Sequence, residues 1–278
     1  MSSKPYLSVC SMYRDHADYL REWIEFHLLV GVERFFLYDN ESTDDHLDVL
    51  RPYVDDGVVV LHTWATPESV ERGVPWGLIP AFDDCLAKHR GDSRWIAFTD
   101  IDEFLFAPGG TPLPEVLSAY EQYPGVQVSR LDFGTSGHRH RPPGLVIESY
   151  LRRRRYSAED LEWTKSIVDP QRAVKCINAH IFLYEDAFAV DLDRVPVTRP
   201  PFGPTPVKMS PLRINHYVTK SEEEYRAKLD QWEAAGRSLN PGPGWLEVLG
   251  EEFDDSITSY VPALREAVGR APRPLRSS

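Results

Sequence analysis

Cysteine is scarce in this chain: Cys10, Cys85 and Cys176 are three among 278 residues. They lie far apart, are odd in number and form no Cys-x-x-Cys pair. That argues against a disulfide scaffold or a cysteine zinc centre and predicts free, buried thiols in a reducing compartment. Long apolar runs are lacking too. No stretch approaches the roughly 20 residues that cross a bilayer, and Met1 to Cys10 is too polar for a signal peptide. A cytosolic location is expected. Positive charge is in deficit, since 31 Lys and Arg against 43 Asp and Glu leave a net charge of −12. Such a field argues against nucleic acid as a partner. Three glycine signatures are also missing. Without Gly-x-x-x-x-Gly-Lys-Ser/Thr, Gly-x-Gly-x-x-Gly or Gly-x-Ser-x-Gly, a P-loop NTPase, a Rossmann dehydrogenase and an elbow-type hydrolase are all disfavoured.

Aromatic residues are plentiful: 7 Trp, 13 Tyr and 12 Phe can fill a core and stack on bases or sugars. The first half alternates strand and helix patterns. Strands are expected at Leu7 to Cys10, Arg34 to Tyr38, Val58 to Leu61 and Arg94 to Thr99. The helices between them begin at Asp15 or His16, after a Thr43 cap, and at Ile79; Gly31 closes the first. This alternation predicts an α/β fold with a mostly parallel sheet, whose ligands sit at the carboxyl ends of the strands. The second half is less regular. Gly125 to Leu131, Leu145 to Tyr150, His180 to Tyr184 and Leu212 to Asn215 read as extended, around a Pro-rich stretch that includes Pro200 and Pro201. Ser221 and Glu224 make a capping box for a helix with Tyr225, Leu229 and Trp232 on one face and Gly236 at its end. Ile257, Tyr260, Leu264 and Val268 mark a last helix. No internal repeat or clean linker appears. A single domain over residues 1–268 is expected, with a ligand half at about 5–130 and an acceptor half at 131–268. A frayed tail follows at 269–278.

The most informative stretch runs from Trp95 to Phe104. An apolar strand feeds into Asp100-Ile101-Asp102, and strand alternation puts both carboxylates on one side. Paired carboxylates suit Mg²⁺ or Mn²⁺ rather than zinc, with substrate phosphate oxygens as further ligands. Glu103 would be a third ligand or would orient the loop. Tyr13-Arg14-Asp15 and Asp39-Asn40 fall just past strand ends on the same edge. Asp39 reads either as a turn residue or as an acceptor for a base or ribose. A histidine from a distant segment would complete the metal set; His216 is favoured, with His180 as its substitute. Arg139-His140-Arg141, Arg152 to Arg155 and Lys165-Ser166 are basic islands, read either as solvated loops or as anion clamps.

These residues, in this order, resemble glycosyltransferases of the family 2 and family 92 type. Tyr19 to His27, Gly31-Val32 and Tyr38 to Asp44 resemble the opening of those enzymes. Trp95 to Phe104 resembles their Asp-x-Asp segment, with an Asp-Glu-Phe ending of the family 92 branch. Phe133 to Gly137, Lys165 to Val168, Asn215-His216-Tyr217 and Lys220-Ser221 resemble later landmarks, so the resemblance spans about Val9 to Lys228. It implies a GT-A fold: a Rossmann-like sheet flanked by helices, with an irregular α+β second half. It also implies a nucleotide-sugar donor, with a UDP-hexose favoured, a Mn²⁺ or Mg²⁺ ion on Asp100 and Asp102, and inversion at the anomeric carbon. Tyr13, Arg14, Asp39, Asn40, Asp100, Ile101 and Lys165 become the expected donor contacts. One departure stands out: relatives often carry a glutamine where this chain has Gly77-Leu78-Ile79-Pro80. The acceptor would be a glycan or another hydroxyl compound, and a lipid-linked one would draw the protein to a membrane surface. A base must take the acceptor's proton; Asp132, His138, Glu148 and Asp169 are candidates, Asp132 first. A nucleotidyltransferase and a non-catalytic nucleotide- or carbohydrate-binding protein are the competing readings.

Overall fold

The computed structural model describes residues 4–65, 77–157, 159–198, 204–234 and 244–270. Pro200, Pro201, Gly236 and the tail from Ala271 onward lie outside the described residues. In chain order, β1 (Leu7–Tyr13), α1 (Ala17–Leu29), β2 (Arg34–Asp39), α2 (His46–Asp55), β3 (Val59–Thr63), α3 (Leu78–His89) and β4 (Trp95–Phe98) form the alternating part. Then come β5 (Glu103–Phe106), α4 (Leu113–Leu117), β6 (Gly125–Asp132) and α5 (Val146–Ser149). Two-residue strands β7 (Arg152–Arg153) and β8 (Leu161–Glu162) precede β9 (Thr164–Val168) and the hairpin of β10 (Ala173–Asn178) and β11 (Ile181–Tyr184). The chain continues through β12 (Thr205–Pro206), β13 (Arg213–His216), α6 (Glu222–Ala234), α7 (Trp245–Val248), β14 (Glu252–Phe253) and α8 (Val261–Gly269). β12 pairs with β8, and β14 with β7.

Eight strands form one sheet in the order β3-β2-β1-β4-β9-β6-β13-β5. The first four are parallel, as the alternation predicts. Beyond β4 the sheet is mixed: β9 runs antiparallel to both β4 and β6, β13 parallel to β6, and β5 antiparallel to β13. It is thus a mixed sheet with flanking helices. Period-two alternation divides its two faces. Phe35, Leu37, Trp95 and Ala97 join Leu20, Trp23, Ile24 and Phe26 of α1 and Leu264 of α8 in one core. Phe36, Tyr38, Ile96 and Phe98 point the other way, onto Ala81, Phe82 and Leu86 of α3 and Phe182 of the hairpin. All three cysteines are buried and free on that second face. Among the described residues no helix is long and apolar enough to cross a membrane.

Gly31 ends α1 as expected: its φ is +104°, and a Cβ there would stand 2.6 Å from Pro114 Cδ. Two local expectations fail. Leu145 to Tyr150 is not a strand, because Val146–Ser149 is a helical turn. Its free amides are held by carboxylates: Val146 N and Ile147 N donate to Glu22 at 2.9 and 3.3 Å, and Leu145 N to Glu148 at 2.8 Å. Thr43 does not cap α2, which starts three residues later. Its N–H and hydroxyl are spent on Asp15 Oδ1 at 2.6 and 3.2 Å.

Candidate active site

Strand direction decides which residues meet. β1, β2, β4, β6 and β13 all end at one edge, while the reversed β5 and β9 begin there. Tyr13, Asp39, Asp100, Asp102, Asp132 and His216 are therefore gathered with Glu103 and Lys165. Register makes this concrete, since His216 is paired with Asp132 on one side and with Glu103 on the other.

The centre is a buried set of alternating charges. Lys165 Nζ stands 2.7 Å from Asp100 Oδ2 and 3.2 Å from Glu103 Oε2. Asp102 divides its oxygens. Oδ2 accepts from Lys228 Nζ at 3.0 Å, and Oδ1 lies 3.6 Å from His216 Nε2. The other ring nitrogen of His216, Nδ1, donates to Asp132 Oδ1 at 2.6 Å. Arg130 braces the rear, with Asp132 at 3.5 Å, Glu103 at 3.7 Å and Glu162 at 4.0 Å. Burial opposes the charges of Asp100 and Asp102. Lys165 outweighs it at the first, and Lys228 with His216 at the second, so both carboxyls lie below their ordinary range. At Glu103 burial wins over Lys165, and its carboxyl is pushed up. Burial also works against a charge on His216, but Asp102 and Asp132 outweigh it and raise the ring's pKa.

The donor set suits a hard divalent ion: two carboxylates, and an imidazole oriented by a further carboxylate through Nδ1, the arrangement common to metal-bound histidines. Among the described residues no three such side chains are gathered as a ready-made metal centre. Asp102 Oδ1 and His216 Nε2 nevertheless sit close to the roughly 3.0 Å between neighbouring ligands of an octahedral ion at about 2.1 Å, and Asp100 is two residues away. His180 is placed differently. Its Nδ1 is 2.9 Å from Thr164 O, and its ring stacks on Trp163.

The loops after β1 and β2 form one wall. Asp15 N donates to Ser42 Oγ at 3.0 Å, Ala17 N to Asp44 Oδ2 at 2.7 Å, and Asn40 N to Tyr13 O at 2.8 Å. Asp39 Oδ1 accepts from Ser42 N at 2.9 Å, while Oδ2 lies 3.5 Å from His46 Nε2. The buried Tyr13 hydroxyl and His46 Nε2 make no hydrogen bond among the described residues. Arg14 is exposed beside Asp15, and Ile101 is buried in the core below the loop.

The other expected base candidates are engaged elsewhere. Glu148 accepts from Leu145 N and pairs with Arg265 at 2.6 Å. His138 Nε2 is 3.0 Å from Ser149 O. Asp169 pairs with Arg94 at 2.7 Å, at the opposite sheet edge where β9 ends. Two arginines of the Arg152 to Arg155 island are structural: Arg153 is buried between Glu252 and Asp254, and Arg154 pairs with Glu162, while Arg141 meets the exposed Asp18 at the surface. Sequence reasoning missed Lys228 and His16. Lys228 sits on the flank of α6, 126 residues from Asp102, and no local pattern marks it. His16, at the start of α1, hydrogen-bonds Arg14 O through Nδ1 at 2.6 Å; burial, then Lys220, pushes its pKa down.

The family model for glycosyltransferase family 92 matches residues 5–231. A family 92 protein of Oryza sativa subsp. japonica is 36% identical over 282 aligned positions, 92% of this chain and 44% of the relative. Galactan β-1,4-galactosyltransferase GALS2 of Arabidopsis thaliana is 31% identical over 107 residues, 37% of this chain and 20% of the relative. The chain spans less than half the length of the curated relatives it matches, from 28% to 49% for the first four. Solved structures overlap loosely: S. aureus TarS in complex with UDP gives a TM-score of 0.38 at 12% identity, over 59% of this chain and 47% of that one. With a family model running from β1 into α6, the chain belongs to glycosyltransferase family 92.

Proposed function

We propose that this chain is a metal-dependent, inverting glycosyltransferase of the GT-A type, moving a hexose from a UDP-sugar to a hydroxyl of a glycan. The observation that carries this reading is the Asp132–His216–Asp102 line at the strand ends, with Asp100 beside it. Asp100, Asp102 and His216 would hold Mn²⁺ or Mg²⁺, and the ion would supply positive charge to the departing diphosphate. Asp132 fixes the His216 ring and keeps Nε2 directed at the site. That makes Asp132 a positioning group rather than the base of the reaction. Lys165 and Lys228 hold the two aspartates ionised and in place. At the other end of the wall, Asp39 offers an acceptor, and the Tyr13 hydroxyl and His46 Nε2 make no hydrogen bond among the described residues, which suits a nucleoside. The acceptor hydroxyl attacks from the face opposite the leaving diphosphate, giving up its proton to a base as the new glycosidic bond forms and the bond to the diphosphate breaks.

The test is a panel of UDP-hexoses with and without Mn²⁺, read by thermal shift and by UDP release. UDP-galactose heads it, because GALS2 is a galactan β-1,4-galactosyltransferase by name. A ligand at a hundred times its Kd stabilises the fold by about 2.7 kcal/mol. A metal-dependent shift and UDP release, both lost in Asp102→Ala, are expected. No shift with any member of the panel in Mn²⁺ would sink the proposal.

A further inference from the structure

Lys220 is a cation that its protein surroundings do not account for. It follows β13 at the site edge with a φ of +51°, a strained conformation for a residue with a side chain. Its Nζ lies 4.1 Å from the centroid of the Tyr19 ring, and the Arg141 guanidinium lies 4.5 Å from the same centroid. Among the described residues no carboxylate is within 4.0 Å of this ammonium. Its neighbours differ: Lys228 has Asp102, Arg141 has Asp18, and Lys165 has both Asp100 and Glu103. Burial pushes the Lys220 pKa down to about 8; Asp102 opposes the fall, and Lys228 and Arg141 add to it by repulsion. A half-buried ammonium beside two like charges is a poor arrangement for stability. An aromatic face recovers little of that loss. Strain held next to a functional edge points to a ligand.

We infer that Lys220, with Arg141 beside it, receives an oxygen of a phosphate group. On the function proposed above, on which this assignment rests, that group is the diphosphate of the donor. An ammonium is a compact point charge with three rotatable donors, suited to a phosphate oxygen that gains charge as the sugar departs. Lys220 then complements the ion on Asp102 from the side of α1 and α6.

The experiment measures binding of UDP, uridine and inorganic pyrophosphate to the full chain by calorimetry, once with EDTA and once with Mn²⁺. The variants are Lys220→Met and Lys220→Arg. A lost charge-assisted hydrogen bond corresponds to a loss of about ten-fold or more in affinity. Lys220→Met is expected to lose this much for UDP and pyrophosphate in both buffers, and to keep uridine within about two-fold. Lys220→Arg is expected to recover most of the UDP affinity, and the methionine variant to melt no lower than wild type. Unchanged UDP binding in Lys220→Met overturns the assignment and leaves the proposed function standing. Equal losses for uridine and UDP, or a collapse in melting temperature shared by both variants, also overturn it in favour of a structural role. Lys220-dependent pyrophosphate binding without any binding of UDP or UDP-hexoses keeps the phosphate site and rejects the donor. If no probe binds wild type, both ideas fall.

Discussion

Asp132→Asn separates a positioning group from a base. Asparagine keeps the volume and one oxygen within reach of His216 Nδ1, now 2.6 Å from the carboxylate, and removes the charge. Charge-assisted hydrogen bonds are roughly twice as strong as neutral ones, so about 1 kcal/mol of ring orientation is lost. The ring also loses one of the two carboxylates that raise its basicity. Removing a carboxylate behind a metal-bound histidine typically costs 10- to 100-fold, or about 1.4 to 2.7 kcal/mol. The fold should tolerate the change, because Arg130 retains Glu103 at 3.7 Å and Glu162 at 4.0 Å. The assay is UDP release from the preferred UDP-hexose at increasing Mn²⁺. The half-saturating Mn²⁺ concentration is expected to rise by about 10- to 100-fold, with kcat at saturating metal close to wild type. Unchanged Mn²⁺ dependence with a kcat down by about a thousand-fold would refute this reasoning and make Asp132 the base.

Three further outcomes follow from the geometry. Asp254→Ala leaves the buried Arg213 without its carboxylate at 2.9 Å and takes from Arg153 one of its two carboxylates, the one at 2.7 Å; a loss of about 3 to 5 kcal/mol is expected, and a melting temperature within about 2 °C of wild type would contradict it. Glu22 is buried and its carboxyl is pushed up to about 7 by burial, against the amides of Val146 and Ile147. The native state therefore favours the protonated form: its contribution is intact below pH ~4.3 and is lost as pH rises through 7, by about 3 kcal/mol at most. Glu22→Gln should flatten that decline in melting temperature between about pH 5 and 9, and an unchanged slope would count against it. Ser221→Ala removes the hydroxyl that accepts Glu224 N at 3.3 Å and donates to its carboxylate at 2.6 Å. A loss of about 1 kcal/mol and a weaker apparent donor affinity are expected, because α6 carries Lys228; equal KM values would show that α6 does not position the site.

Much of the sheet and its acidic edge was legible because both depend on short-range pattern. Unbroken apolar runs in Phe35 to Tyr38 and Trp95 to Phe98 report two buried faces, and Asp100-Ile101-Asp102 follows directly from such a strand. The capping box at Ser221 is a four-residue signal and was read correctly. What escaped was decided by distant partners. Leu145-Val146-Ile147 has the composition of a strand, yet Glu22 anchors its amides from more than 120 positions away. Thr43 has the chemistry of a cap, yet Asp15 takes its donors. Glu103 to Phe106 and Thr164 to Val168 look unremarkable in isolation. They become strands because gaps beside β13 and between β4 and β6 accept them. Lys228 reaches Asp102 only once α6 has docked.

The interleaving of those strands bears on how the chain is made. From β4 onward, neighbours in the sheet come alternately from early and late in the sequence: β4, then β9, then β6, then β13, then β5. While the polypeptide is still emerging from the ribosome, β6 has neither of its two neighbours, and both arrive only with residues 164–168 and 213–216. Until then β4 and β6 expose unpaired edges, which are templates for wrong pairing. Pairings between segments this far apart in sequence slow folding. The topology that brings Lys165 and His216 to the aspartates thus ties maturation of the site to the synthesis of residues 164–216.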